Sequence, residues 1–176
     1  MNPCPCGYYN HPERECTCGQ NNVQRYMNKV SGPLLDRIDL HVEVTPVNYD
    51  DLANDIPKEG SKEIRSRVVA ARKVQTKRFS NVIEATSEAE NRPIEGSRTH
   101  SNAEMSSKDI RQFCQISEGS AVLLKKAMNS LGFSARAYDR ILKVSRTIAD
   151  LDGVEKVESK HIAEAIQYRS LDRDIR

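Results

Sequence analysis

Apolar residues recur three and four positions apart over most of this chain, and that period predicts a mainly α protein built around a helical bundle. In the second half, Leu124, Ala127, Met128 and Leu131 share one helical face, and Ser117 stands where it can cap their helix. Gly132 supplies the left-handed residue that ends such a helix, with Phe133 placed to fold back on its last turn. Ser134 caps the next helix, over residues 135–151. At 100° per residue, Tyr138, Ile141, Leu142, Ser145, Ile148 and Ala149 cover one side of it, and Arg136, Arg140, Lys143 and Thr147 lie opposite. Ser106 or Ser107 opens a helix carrying Ile110, Phe113 and Cys114; Ser159 opens a short one with Ile162, Ala165 and Ile166, and the charged tail after Leu171 frays.

Upstream, residues 61–79 read as a long helix with Ile64, Val68 and Ala71 in its apolar stripe and Phe79 near its end. Residues 80–103, rich in Glu, Ser and Asn and holding Pro93 and Gly96, read as a long polar loop. Val23, Tyr26, Met27 and Val30 predict a short amphipathic helix within 19–31. A period of two appears once: Ile38, Leu40, Val42 and Val44 alternate with Asp39, His41, Glu43 and Thr45, which predicts a strand entered through a turn or short helix at Gly32-Pro33. The acidic stretch 48–60 reads as a linker between residues 1–47 and a helical domain over 61–176.

Composition narrows the class. At 176 residues, 30% charged, 5% aromatic and without tryptophan, the chain holds one ordinary domain or two small helix-rich ones. A net charge of +2 is too small to argue for nucleic-acid binding by itself. With neither an 18-residue apolar run nor a secretory leader, the expectation is a cytoplasmic protein without membrane contact and with reduced cysteines.

Four of the five cysteines fall in the first eighteen residues, as Cys4-x-Cys6 and Cys16-x-Cys18 around a polar loop with His11 and Pro12. Pro3, Pro5 and Pro12 stiffen the segment into a knuckle. Four thiolates can hold one zinc tetrahedrally, His11 standing in for a sulfur if needed; the other reading is free thiols that pack or exchange. The helix over 61–79 carries Lys62, Arg65, Arg67, Arg72, Lys73, Lys77 and Arg78 against Glu63, either a phosphate-tracking face or a solvated one. Arg37, just ahead of the strand, is either a phosphate-reading group on a sheet rim or an ion-pair partner of Asp36 or Asp39. Arg136 sits in a first helical turn, where a cation opposes the macrodipole; a nearby anion or Asp139 would compensate it.

Three separated stretches carry a resemblance: Met1-Asn2-Pro3-Cys4-Pro5-Cys6-Gly7, Ser31-Gly32-Pro33-Leu34-Leu35-Asp36-Arg37-Ile38-Asp39-Leu40-His41, and Leu131-Gly132-Phe133-Ser134-Ala135-Arg136-Ala137-Tyr138-Asp139-Arg140. Together, and on through His161-Ile162-Ala163-Glu164-Ala165-Ile166, they are similar to the C-terminal half of magnesium-chelatase-like AAA+ ATPases of the ComM or YifB group. The resemblance implies the end of an α/β core, with one or two strands, followed by a helical lid. It implies that Asn2 is a sensor-1 residue orienting the attacking water, and that Arg37 is an arginine finger offered to a neighbouring subunit of a homo-oligomeric ring. Arg136 would be the sensor-2 arginine, with Arg140 beside it on the nucleotide. ATP and Mg2+ are the implied cofactors, and DNA the implied partner of the intact motor. A chelatase subunit driving magnesium insertion into a porphyrin belongs to the same class, and a zinc-stabilised nucleic-acid-binding module is the reading from a different one.

No Gly-x-x-x-x-Gly-Lys-Ser/Thr loop occurs, nor any Gly-Lys pair, and no acidic magnesium-binding strand precedes Asn2. The expectation is therefore a piece of a longer protein that lacks its N-terminal nucleotide-binding part, that neither binds ATP well nor hydrolyses it alone, and whose residues 1–47 are poorly ordered for want of sheet partners.

Overall fold

A computed structural model describes residues 2–44, 47, 59–90 and 99–169, with the backbone alone over 81–90. The chain divides into two compact units, residues 59–167 and residues 1–58 with 168–176.

The larger unit is a helical bundle. Its first helix, α3 (Ser61–Glu90), follows two short helices of the other unit, α1 (Gln20–Met27) and α2 (Gly32–Leu35). The unit continues through a 3-10 turn (Asn102–Glu104), α4 (Ser107–Phe113), α5 (Glu118–Leu131), α6 (Ala135–Leu151) and α7 (Ser159–Gln167). Helix α6 is the hub, packed against α7, α3, α4 and the 3-10 turn, while α5 also rests on α7.

Local chemistry explains the boundaries. Ser106 accepts from the Asp109 N–H while Asp109 bonds back to the Ser106 N–H, a reciprocal capping box. The hydroxyl of Ser117 accepts from Ser120 N, and that of Ser134 from Ala137 N. Gly132 ends α5 at φ 60°, and the Phe133 N–H bonds back to the Met128 carbonyl at 3.1 Å. Ser159 is the first residue of α7 rather than its cap, and its hydroxyl meets that of Ser120 at 2.9 Å.

The structure corrects several expectations. The long loop over 80–103 does not begin at 80, because α3 runs on to Glu90. Residues 80–90 are polar but hold neither Gly nor Pro, and Glu and Ala among them favour helix. The remainder of that loop over 91–98 lies outside the described residues. The apolar stripe of α3 is buried only in its later half: Ala71, Gln75 and Phe79 are covered, whereas Ile64 and Val68 on the same face are exposed. On α6, Tyr138 is exposed and Ala137 takes the buried place, with Arg146 and Asp150 also inside. Phe79 meets Phe113 edge to face at 5.8 Å and 86°, joining α3 to α4 within this core.

In the smaller unit, Val23 of α1, Leu35 of α2, Cys4, His41 and Arg169 are buried. Pro33 occupies the first turn of α2, where its missing N–H costs nothing. The strand expected from Ile38 through Val47 carries no ladder among the described residues. Ile38, Leu40, Val42 and Val44 are all exposed while His41 points inward, the reverse of the burial that alternation implies. A strand needs a paired backbone, and here the His41 N–H goes to the Tyr168 carbonyl, 2.6 Å away. The isolated parallel bridge between Ile116 and Val157 belongs to the helical unit. Residues 45–46, residues 48–58 of the linker expected over 48–60, and the tail beyond 169 lie outside the described residues.

Candidate functional site

The cysteine knuckle is built by tight backbone turns rather than by a core. Gly7 adopts φ 83° and Asn10 φ 61°, and the Gly7 N–H closes a turn on the Cys4 carbonyl at 3.1 Å. His11 is not a candidate ligand as the sequence allowed: its Nδ1 accepts the N–H groups of Glu13 and Arg14 at 3.1 and 3.2 Å, bracing the loop between the cysteine pairs. Arg14 in turn donates to the Tyr8 hydroxyl at 2.8 Å. The sulfurs of Cys4, Cys6, Cys16 and Cys18 lie within 4.8 Å of one another, a set that can hold a metal ion.

Protons are shared unequally among these thiols. The Tyr8 N–H beside Cys6 outweighs desolvation and, with the neighbouring thiols, holds Cys6 down to about 6. The Cys18 N–H draws Cys16 downward, but desolvation and the Cys6 and Cys4 sulfurs outweigh it and push Cys16 up to about 12. The Cys6 N–H acts likewise on Cys18, whose thiol is left raised by the Cys6 sulfur and desolvation. Asn2 is exposed, with its side chain lying over Gly7 of the same knuckle.

Arg37 is exposed at the end of α2, in the segment leading to His41. That segment is held by a residue the sequence reading missed. Arg169 is 1% exposed, donates to the Ile38 carbonyl at 3.0 Å and stands 3.9 Å from the Asp36 carboxylate. It therefore grips the residue on each side of Arg37.

In the helical unit, Arg136 is the second residue of α6 and exposed, and Arg140 follows one turn later, partly covered. The tight turn from Gly132 through Ser134 fixes where α6 begins, so the first-turn position of Arg136 is rigidly set. Further along α6, toward its C-terminal end, a polar cluster that periodicity did not reveal is buried against α3 and the 3-10 turn. Arg78 donates to Asp150 and to Asn102 Oδ1, each at 2.8 Å, and Asn102 Nδ2 donates to Asp150 at 2.8 Å and Thr147 at 3.1 Å. Arg146 bonds Asp150 through Nε at 3.1 Å and the Val154 carbonyl at 2.7 Å. A cavity of about 490 Å³ opens beside this cluster, but its two guanidinium groups are engaged by Asp150 and by carbonyls, so it reads as framework rather than an anion site. The detectable signal in the sequence was the i, i+4 pair Arg146 and Asp150.

Residues 58–169 match the family model described as magnesium chelatase, subunit ChlI C-terminal, and residues 1–52 match the model for magnesium chelatase, subunit ChlI. A competence protein ComM of Haemophilus influenzae is 38% identical over 174 residues, covering 98% of this chain and 30% of its own length. An uncharacterized protein YifB of Escherichia coli is 37% identical with the same coverage, and an uncharacterized Mycobacterium tuberculosis protein is 32% identical over 168 residues. The chain thus spans about 30% of the length of the curated relatives it matches. With most of its length under these two models, the chain belongs to the magnesium chelatase family and corresponds to the C-terminal portion of its ComM- and YifB-like members.

Proposed function

We propose that this chain is the C-terminal part of a ring-forming AAA+ ATPase whose ATP hydrolysis drives DNA remodelling or branch migration. Asn2 orients the attacking water, Arg37 reaches nucleotide bound by the neighbouring subunit, and Arg136, with Arg140 behind it, reaches the γ-phosphate from the lid. ATP with Mg2+ is the cofactor, and zinc is the metal at the cysteine cluster. The observation that carries this reading is the exposed Arg136 in the first turn of α6, on a helix whose opposite face is locked in the core. The N-terminal N–H groups of a helix and a guanidinium beside them together favour an anion there. Phosphoryl transfer is catalysed by positioning and by cations aimed at developing charge, a task a bidentate guanidinium suits.

The test is mutagenesis in the full-length protein. Arg37→Ala should lower kcat by ~10³ or more and leave nucleotide affinity largely intact, because a finger acts on the transition state. Arg136→Ala should weaken both binding and turnover. A twofold effect of Arg37→Ala would remove the finger assignment. Porphyrin metallation instead of DNA-stimulated ATP turnover would move the protein to the chelatase branch of the same motor class. A nucleic-acid-binding module is favoured by one observation, the exposed Lys62, Arg65, Arg72, Lys73 and Lys77 on α3. Salt-dependent binding of this chain alone to DNA separates it from the motor reading.

A further inference from the structure

Two features fall on the same few residues: four sulfurs that converge, and an asparagine laid across the turn that joins two of them. The Sγ atoms of Cys4, Cys6 and Cys16 are separated by 3.3 Å (4 to 6), 3.7 Å (4 to 16) and 3.6 Å (6 to 16), and Cys18 lies within 4.8 Å of the rest. A disulfide would bring two of them to about 2.05 Å. A tetrahedral centre with metal–sulfur bonds of about 2.3 Å sets its sulfurs about 3.8 Å apart. The three spacings among Cys4, Cys6 and Cys16 sit inside that edge length. Cys4 is fully buried, in a knuckle whose other members are mostly polar. With His11 committed to its own loop, the donor set is four soft sulfurs, which selects zinc over hard cations.

We propose that Cys4, Cys6, Cys16 and Cys18 hold one zinc ion as a structural tetrathiolate centre, and that this centre sets the position of Asn2. The metal assignment stands on the sulfurs alone; the consequence for turnover rests on the reading of Asn2 given above. Gly7 lies between Cys6 and Tyr8 with φ 83°, and its N–H closes a turn on Cys4. A Cβ on Gly7 would stand 3.5 Å from Asn2 Nδ2, so the Asn2 amide already lies against this turn. Zinc ligated by Cys4 and Cys6 fixes both ends of the surface on which Asn2 rests.

The purified chain should contain one zinc by elemental analysis and native mass spectrometry. Cobalt in its place should give the intense visible bands of a tetrahedral tetrathiolate. A Cys4→Ser, Cys16→Ser double variant should lose the metal, whereas Cys114→Ser, whose sulfur packs on Met105 in the helical unit, should keep it. A metal-free chain, or undiminished zinc binding by the double variant, overturns the site. Chelation should collapse the amide signals of residues 2–18, the Asn2 side chain included, and leave those of Ala135–Leu151 in place; an unmoved Asn2 signal overturns the positioning. In the full-length protein, zinc removal and Asn2→Ala should each lower kcat at unchanged KM for ATP, and together should lower it no further. If Asn2→Ala turns over normally, the sensor reading falls and the zinc stoichiometry stands. Should Asn2→Ala be slow while zinc removal is neutral, the clamp falls and the sensor reading stands.

Discussion

Asp150 shows how one carboxylate organises the helical unit. Burial alone would raise its pKa, but hydrogen bonds from Arg78 and Asn102 and the charge of Arg146 outweigh that and leave it below the ordinary 3.8. Between the unfolded value and the lower folded one, the unfolded chain binds more protons, so stability rises with pH. The contribution is complete above the ordinary aspartate range and is lost as pH falls below about 4. Asp150→Asn should therefore flatten the acid limb of the stability profile. At neutral pH it should cost about 3–5 kcal/mol, because Arg78 and Arg146 are left buried without a counter-charge. Urea midpoints at neutral pH and below about pH 4 check each part. An unchanged acid limb in the variant would place the titration elsewhere.

At the scale of elements, the bounds of α6 and most of its buried face were legible from the sequence because their determinants are local, whereas the exposure of Tyr138 and the burial of Arg146 and Asp150 were not. Gly132, Ser134 and the spacing of Ile141, Leu142, Ser145, Ile148 and Ala149 all act within a few residues of the helix they define. Gly132→Ala should destabilise the unit by roughly 1–2 kcal/mol, the cost of a Cβ in the left-handed region. Ser134→Ala should cost about 1 kcal/mol through the lost cap. Thermal melts of the two variants check these values, and a neutral Gly132→Ala would mean that the turn has another solution. What was not legible depends on partners far along the chain. Arg78 and Asp150 are 72 residues apart, and no period links them. The alternation over 38–44 described a surface without naming what pairs with it, and Arg169 reaches that segment from 131 residues away. The long loop was misread because polarity is a weaker signal than a helix breaker, and residues 80–90 contain none. Of the site residues, the first-turn place of Arg136 could be read directly, whereas the convergence of four sulfurs needed the turns at Gly7 and Asn10 to be seen.

For the whole molecule, the deciding quantity is how positive charge is distributed. Lys62, Arg65, Arg72, Lys73 and Lys77 fall within an arc of about 140° on α3 at 100° per residue, an arc that leaves out the buried Ala71, Gln75 and Phe79. Arg67 lies off that arc, paired with Glu59 at 2.6 Å. If all five cations contacted phosphates, log affinity would fall with log salt at a slope of about −4.5. Affinity would then drop on the order of 500-fold between 50 and 200 mM salt. The rest of the chain works against such binding, because 27 basic residues face 25 acidic ones and the field of the whole molecule is weak. The expected outcome is that this chain alone shows no tight binding to duplex DNA in fluorescence anisotropy at ~50 mM salt, where phosphate contacts are strongest. Micromolar binding with the steep slope, abolished by Arg72→Glu with Lys73→Glu, would transfer the function from the arginines at the ends of α2 and α6 to the exposed face of α3.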